Sequence, residues 1–96
     1  MPRKKPKSQS ERIHFKRRLR ERYGIRINRN AYRELVDRVL LGETTYIFKQ
    51  SNTRTIHRMI ICNKSVIVVY DSMRRELVTA LPPDLTEEDI RNYHGN

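Results

Sequence analysis

The sequence predicts an α+β fold: two N-terminal helices packed on a four-stranded antiparallel β-meander, with room for one short acidic helix near the C-terminus. Three observations lead there. Apolar residues recur at helical spacing up to Gly42 and at strand spacing after it. Four β-rich runs follow that glycine, separated by two to five residues of turn chemistry. The length of 96 residues allows one domain.

Ser8-Gln-Ser-Glu11 is a capping box, in which a hydroxyl and a carboxylate satisfy free amides at a helix start. It predicts a helix from about Gln9 to Tyr23. The apolar stripe of this helix is thin, Phe15, Leu19 and Tyr23 with Ile13 to one side, and Lys and Arg fill most of the rest. It should pack by one narrow edge and show a broad cationic surface. Gly24 is placed to stop it in a left-handed conformation. Ile25-Arg-Ile-Asn28 is a short extended link, and Asn28 or Asn30 caps a second helix from about Ala31 to Leu41, ended by Gly42. Tyr32, Leu35, Val36, Val39 and Leu40 give that helix a full core-facing stripe.

The expected strands are Thr44 to Lys49, Thr53 to Cys62, Ser65 to Tyr70 and Glu76 to Leu81. Their short links imply antiparallel neighbours, because parallel ones need long crossovers. Pro82-Pro83 ends the last strand, and Thr86-Glu-Glu-Asp89 can cap a short acidic helix. The chain thus divides into a basic tail (residues 1–7), of a composition that is usually disordered, a single domain (8–83) and an acidic C-terminal tail (84–96).

Charge is distributed unevenly. Lys and Arg number 21 against 11 Asp and Glu, for a formal net charge of +10. Residues 1–30 hold 12 of the former and 2 of the latter, so the body behind them is neutral. Such asymmetry is the footprint of a polyanionic partner, most often nucleic acid. Lys4, Lys5, Lys7, Lys16, Arg17, Arg20, Arg22 and His57 are the expected contacts. A single cysteine excludes an internal disulfide and fits a reducing, cytoplasmic compartment. No apolar run approaches the roughly 20 residues of a membrane span, so no membrane partner is expected. The charged N-terminus lacks the apolar core of an export signal. His14, His57 and His94 are widely spaced and no Cys-x-x-Cys occurs, which argues against a metal site. With three glycines there is no phosphate-cradling loop, and no cofactor is expected. Cys62, in an apolar run, should be a small core residue.

What remains is histidine, arginine and hydroxyl chemistry on a basic domain. His14, Arg18 and Arg22 form one row of the first helix, bordering its apolar edge, and should lie at the seam between helix and sheet. An ordinary solvated charge row has the same spacing. In the second strand, Arg54, Ile56 and Arg58 point one way and Thr55, His57 and Met59 the other; periodicity does not choose which set meets a ligand. Tyr70 shares a face with Val66 and Val68, and Thr79 is expected to share one with Leu77 and Leu81.

Ile13-His-Phe-Lys-Arg-Arg18-Leu-Arg-Glu-Arg22-Tyr-Gly-Ile25 resembles the His-x-x-x-Arg-x-x-x-Arg-x-Gly-Ile opening of small toxin-like and phage-borne domains of the barnase–EndoU–colicin–RelE superfold. Val68-Val-Tyr-Asp71 and Glu76-Leu-Val-Thr79-Ala-Leu-Pro82 are similar to the closing hairpin of those domains. The resemblance spans about residues 12–82 and implies metal-independent RNA cleavage, in which a ribose 2′-hydroxyl attacks the adjacent phosphate to leave a cyclic phosphate and a 5′-hydroxyl. Carried over by position, it implies His14 as the acid and base, Arg18 as a phosphate contact, and Arg54 or Arg58 as the transition-state cation. Thr79 would donate a hydrogen bond, and Tyr70 would stack a base or replace histidine in proton transfer. Arg22 would serve binding or structure.

Two functions therefore stand. One is an endoribonuclease of toxin or phage type acting on RNA, alone or ribosome-associated. The other is a non-catalytic module on the same scaffold that binds nucleic acid or a host protein, with an acidic protein or inhibitor as the further partner class.

Overall fold

A computed structural model describes residues 7–92, with side chains from Arg12 onward. Lys4, Lys5 and His94 lie outside the described residues, as does the side chain of Lys7. The element order is α1 (Lys7–Tyr23), α2 (Arg29–Leu40), β1 (Thr45–Lys49), β2 (Arg54–Ile61), β3 (Lys64–Asp71), β4 (Glu76–Ala80) and α3 (Glu87–Arg91). The strands pair antiparallel in the order β1-β2-β3-β4, the expected α+β meander.

Local chemistry sets most of the boundaries. α1 begins at Lys7, two residues before the expected start, and the capping side chains of Ser8 and Glu11 fall outside the described residues. At its other end Gly24 takes φ 68° and its N–H donates to the Arg20 carbonyl at 2.9 Å. Asn28 caps α2, its Oδ1 accepting from the Ala31 N–H at 2.8 Å.

One turn departs from the sequence expectation. Cys62 (φ 49°) and Asn63 (φ 64°) are the two central residues of the β2–β3 hairpin. Two consecutive positive φ values define the type I′ turn whose twist matches the flanking strands. Cys62 is therefore exposed at a hairpin tip, and the core position expected for it is corrected.

The sheet carries a core on each face, and β4 with most of β3 is buried between them. The first core lies between the sheet and the two long helices and joins Phe15, Leu19, Tyr32 and Val36 to Met59, Val66, Val68 and Leu77. The second lies on the opposite face, where Ile56, Ile67, Val69 and Val78 meet Leu81 and are closed over by Ile90, with Leu85 packed alongside. The segment 84–96, set apart by its composition as a tail, thus supplies a helix to the body. Its capping box is present: Thr86 Oγ1 accepts from Asp89 N and Asp89 Oδ2 from Thr86 N, both at 3.1 Å. Burying Ile90 contributes about 1.5–3 kcal/mol, which holds this one-turn helix in place.

β4 carries one extra residue where the register shifts opposite Val69 and Tyr70. The bulge sends Leu77 to the first core and Leu81 to the second, so the face expected to hold Leu77, Thr79 and Leu81 together does not exist. Thr79 pairs with Val69, whose side chain belongs to the second core.

Two tyrosine hydroxyls fasten the helices to β4. Tyr23 OH donates to the Leu81 carbonyl at 2.6 Å and accepts from the Ile67 N–H at 3.3 Å. Tyr32 OH donates to Glu76 Oε2 at 2.6 Å and accepts from the Leu77 N–H at 3.0 Å. Glu76 is only 7% exposed, and Arg33, 3.7 Å from its other oxygen, is its ionic partner. Tyr32→Phe should cost about 1–3 kcal/mol in urea unfolding, because it removes a donor from a buried carboxylate while the ring still packs.

Candidate nucleic-acid interface

α1 turns about 100° per residue, which divides it into three rows. Phe15, Leu19 and Tyr23 form the ridge seated in the first core. His14, Arg18 and Arg22 run along one side of that ridge, and Ile13, Lys16, Arg17 and Arg20 along the other. The first row follows the outer edge of β4, because Arg22 donates to the Ala80 carbonyl at 2.8 Å. Arg22 is thus spent on the sheet edge, the structural role among those the resemblance allowed. Arg18 pairs with Glu21 at 3.2 Å, and its Nε is buried with no partner.

The other row faces a groove. After Gly24 the chain doubles back beside the helix: Ile25 is buried, Arg26 points out and Ile27 leans on the first core. Ile13, Lys16, Arg17 and Arg20 from α1, with Arg26 and Ile27 from the link, enclose about 430 Å³. This volume falls within the range of small-ligand sites, about 300–1,000 Å³. Among the described residues none of these four cations makes an ion pair. Four unneutralised charges around two isoleucines make a local positive potential that an anion would relieve.

The residues of the expected cleavage centre do not share one cleft. β2 and β3 pair without interruption from Arg54 to Ile61, so side chains alternate strictly between faces. Ile56 lies in the second core, which puts Arg54 and Arg58 on the face away from α1. Arg54 Nε donates to Asp71 Oδ2 at 3.4 Å, and Arg58 borders a cleft with Tyr46, Ile47, Glu87 and Ile90 beside α3. Thr79 takes the same face, opposite Val69. Tyr70 and His57 occupy the helix-facing side, while His14 belongs to the β4-edge row of α1. His14 and Arg18 ride on α1, which packs on the first-core face, whereas Arg54 and Arg58 leave the opposite face of the sheet. The convergence expected of His14, Arg18, Arg54, Arg58, Tyr70 and Thr79 is corrected accordingly.

His57 instead belongs to a polar cluster that periodicity alone did not reveal. Its Nδ1 is 3.0 Å from Thr44 Oγ1 and its Nε2 is 2.7 Å from Thr55 Oγ1, so both ring nitrogens are occupied by hydroxyls. Tyr46 and Tyr70 meet the ring edge-on at centroid distances of 5.7 and 6.4 Å. Burial holds the imidazole below its ordinary value and raises the Tyr70 phenol. Tyr70 OH and Thr79 Oγ1 are buried without a hydrogen-bond partner, each on its own side of the sheet.

Comparison of the chain with protein-family models, with curated proteins and with solved structures returned no match. The interface therefore rests on this chain's own geometry. Of its lining, Lys16, Arg17 and Arg20 were expected contacts; Ile13, Arg26 and Ile27 were not. The signal for the last two was the alternation Ile25-Arg-Ile27 after a helix-stopping glycine, which turns an arginine outward beside the helix it follows.

The burial of His57 and that of Thr79 each have a measurable consequence. The folded imidazole protonates less readily than the unfolded one, whose pKa is 6.5, so below that pH the unfolded chain holds more proton. Stability should fall as the pH drops through 6.5 towards the lowered folded value, and His57→Gln should reduce that fall in urea titrations. Thr79→Val replaces an unpartnered buried hydroxyl by a methyl and should raise stability by about 1 kcal/mol in the same assay.

Proposed function

We propose that this domain binds RNA through the groove between α1 and the link that follows it, without cleaving it. The observation that carries the reading is the set Lys16, Arg17, Arg20 and Arg26, four cations without ionic partners among the described residues, on one face of a chain whose positive excess lies in residues 1–30. Phosphate is an acceptor-only anion, and guanidinium groups meet it with paired donors. RNA is favoured over DNA by the resemblance of residues 12–82 to ribonuclease domains, which concerns the scaffold. Binding without cleavage is favoured because His14 is carried by α1 on the first-core face whereas the candidate arginines Arg54 and Arg58 leave the opposite face.

Affinity for a labelled RNA oligonucleotide should fall steeply with salt. Each single-strand phosphate neutralised adds about 0.7 to the log–log slope, so Arg17→Ala with Arg20→Ala should lower it by about 1.4. Fluorescence anisotropy across a salt series reads this directly. Total RNA held with excess protein in EDTA should remain intact. Cleavage lost in His14→Ala would overturn the reading in favour of a nuclease, and failure of RNA to compete with an acidic protein would overturn it in favour of a protein partner.

A further inference from the structure

The groove differs from a plain phosphate-binding surface in what it lacks. Among the described residues its six lining side chains are two isoleucines, one lysine and three arginines, without a carboxylate, hydroxyl or amide among them. Every polar side chain among these described residues is a cationic donor, which suits an occupant that brings acceptors to the rim and an apolar face to the middle. A duplex offers its phosphates and wet groove edges while its base faces stay stacked inside, which leaves Ile13 and Ile27 nothing to cover them. An unpaired nucleotide offers both features. Its phosphates suit the cations, and its base presents a flat face for the isoleucines and for the arginine planes, which stack on bases.

Resting on the RNA-binding reading above, we propose that the groove selects single-stranded RNA by taking up one unpaired base between Ile13 and Ile27. Lys16, Arg17, Arg20 and Arg26 hold the flanking phosphates. The described lining side chains include no acceptor for the amino groups of a base edge, so they hold the base by its face and do not read its edge. Recognition is therefore selective for strandedness and tolerant of sequence.

The test compares wild-type protein with one RNA sequence presented as a single strand and as a blunt duplex at equal ionic strength, and with poly(U), poly(A) and poly(C) of equal length. The single strand should bind at least about tenfold tighter than the duplex, with the three homopolymers within about tenfold of one another. Ile13→Ala and Ile27→Ala should each weaken single-strand binding by about fivefold or more, because each removes apolar surface that the base covers, while leaving duplex binding and the salt slope unchanged. Equal affinity for strand and duplex would overturn the inference while leaving RNA binding in place. Binding to neither would overturn the RNA-binding reading itself. Strong preference for one homopolymer would overturn the sequence tolerance. If Ile27→Ala, next to the core, fails to fold, the wild-type comparison and Ile13→Ala decide the matter.

Discussion

β4 is the strand on which the rest of the molecule hangs. It is five residues long, at the edge of the sheet and buried throughout, so its outward backbone groups cannot all turn to water. α1 lies across it and supplies what water would: Arg22 bonds the Ala80 carbonyl, and Tyr23 bonds the carbonyl of Leu81 just past the strand's end. Tyr32 of α2 does the same at the strand's start. An unmet buried carbonyl or amide costs about 1–3 kcal/mol, so these contacts fix where both helices sit. They also block an edge that would otherwise be open to pairing with another chain.

That docking decides how the cations of α1 are used. A helix seated by the ridge Phe15, Leu19 and Tyr23 has two flanks, and only one of them lies against the β4 edge. Arg22 on that flank is consumed by the fold. Lys16, Arg17 and Arg20 on the other are left facing the returning link, where Arg26 joins them. Similar residues on one short helix thereby come to serve the fold on one flank and to line an open groove on the other, from their angular position alone.

The sheet has a parallel division of labour. Asp71, 3% exposed, holds Arg54 at 3.4 Å and Arg74 at 3.4 Å, and its Oδ1 accepts from the Met73 and Arg74 N–H groups at 3.0 and 3.2 Å, tying off the β3–β4 turn. Arg54 is thus part of a turn-closing network. On the opposite face His57 is satisfied by two threonine hydroxyls and flanked by two aromatic rings. Both arrangements give polar side chains at the margins of the cores the hydrogen-bond partners that burial requires.

The sequence by itself determined the α+β class, the order of elements and the stop at Gly24, because apolar period, capping residues and turn lengths act over a few neighbouring residues. The unbroken apolar run from Val66 to Tyr70 also carried the signature of a strand covered on both sides. Only the tertiary structure decided which strand face each polar residue took. A period of two is symmetric between faces, and one bulge in β4 moved Thr79 across the sheet from where simple alternation put it. It likewise decided that Ile90 is core and Cys62 surface, since burial depends on what packs above a residue and not on its neighbours in the chain.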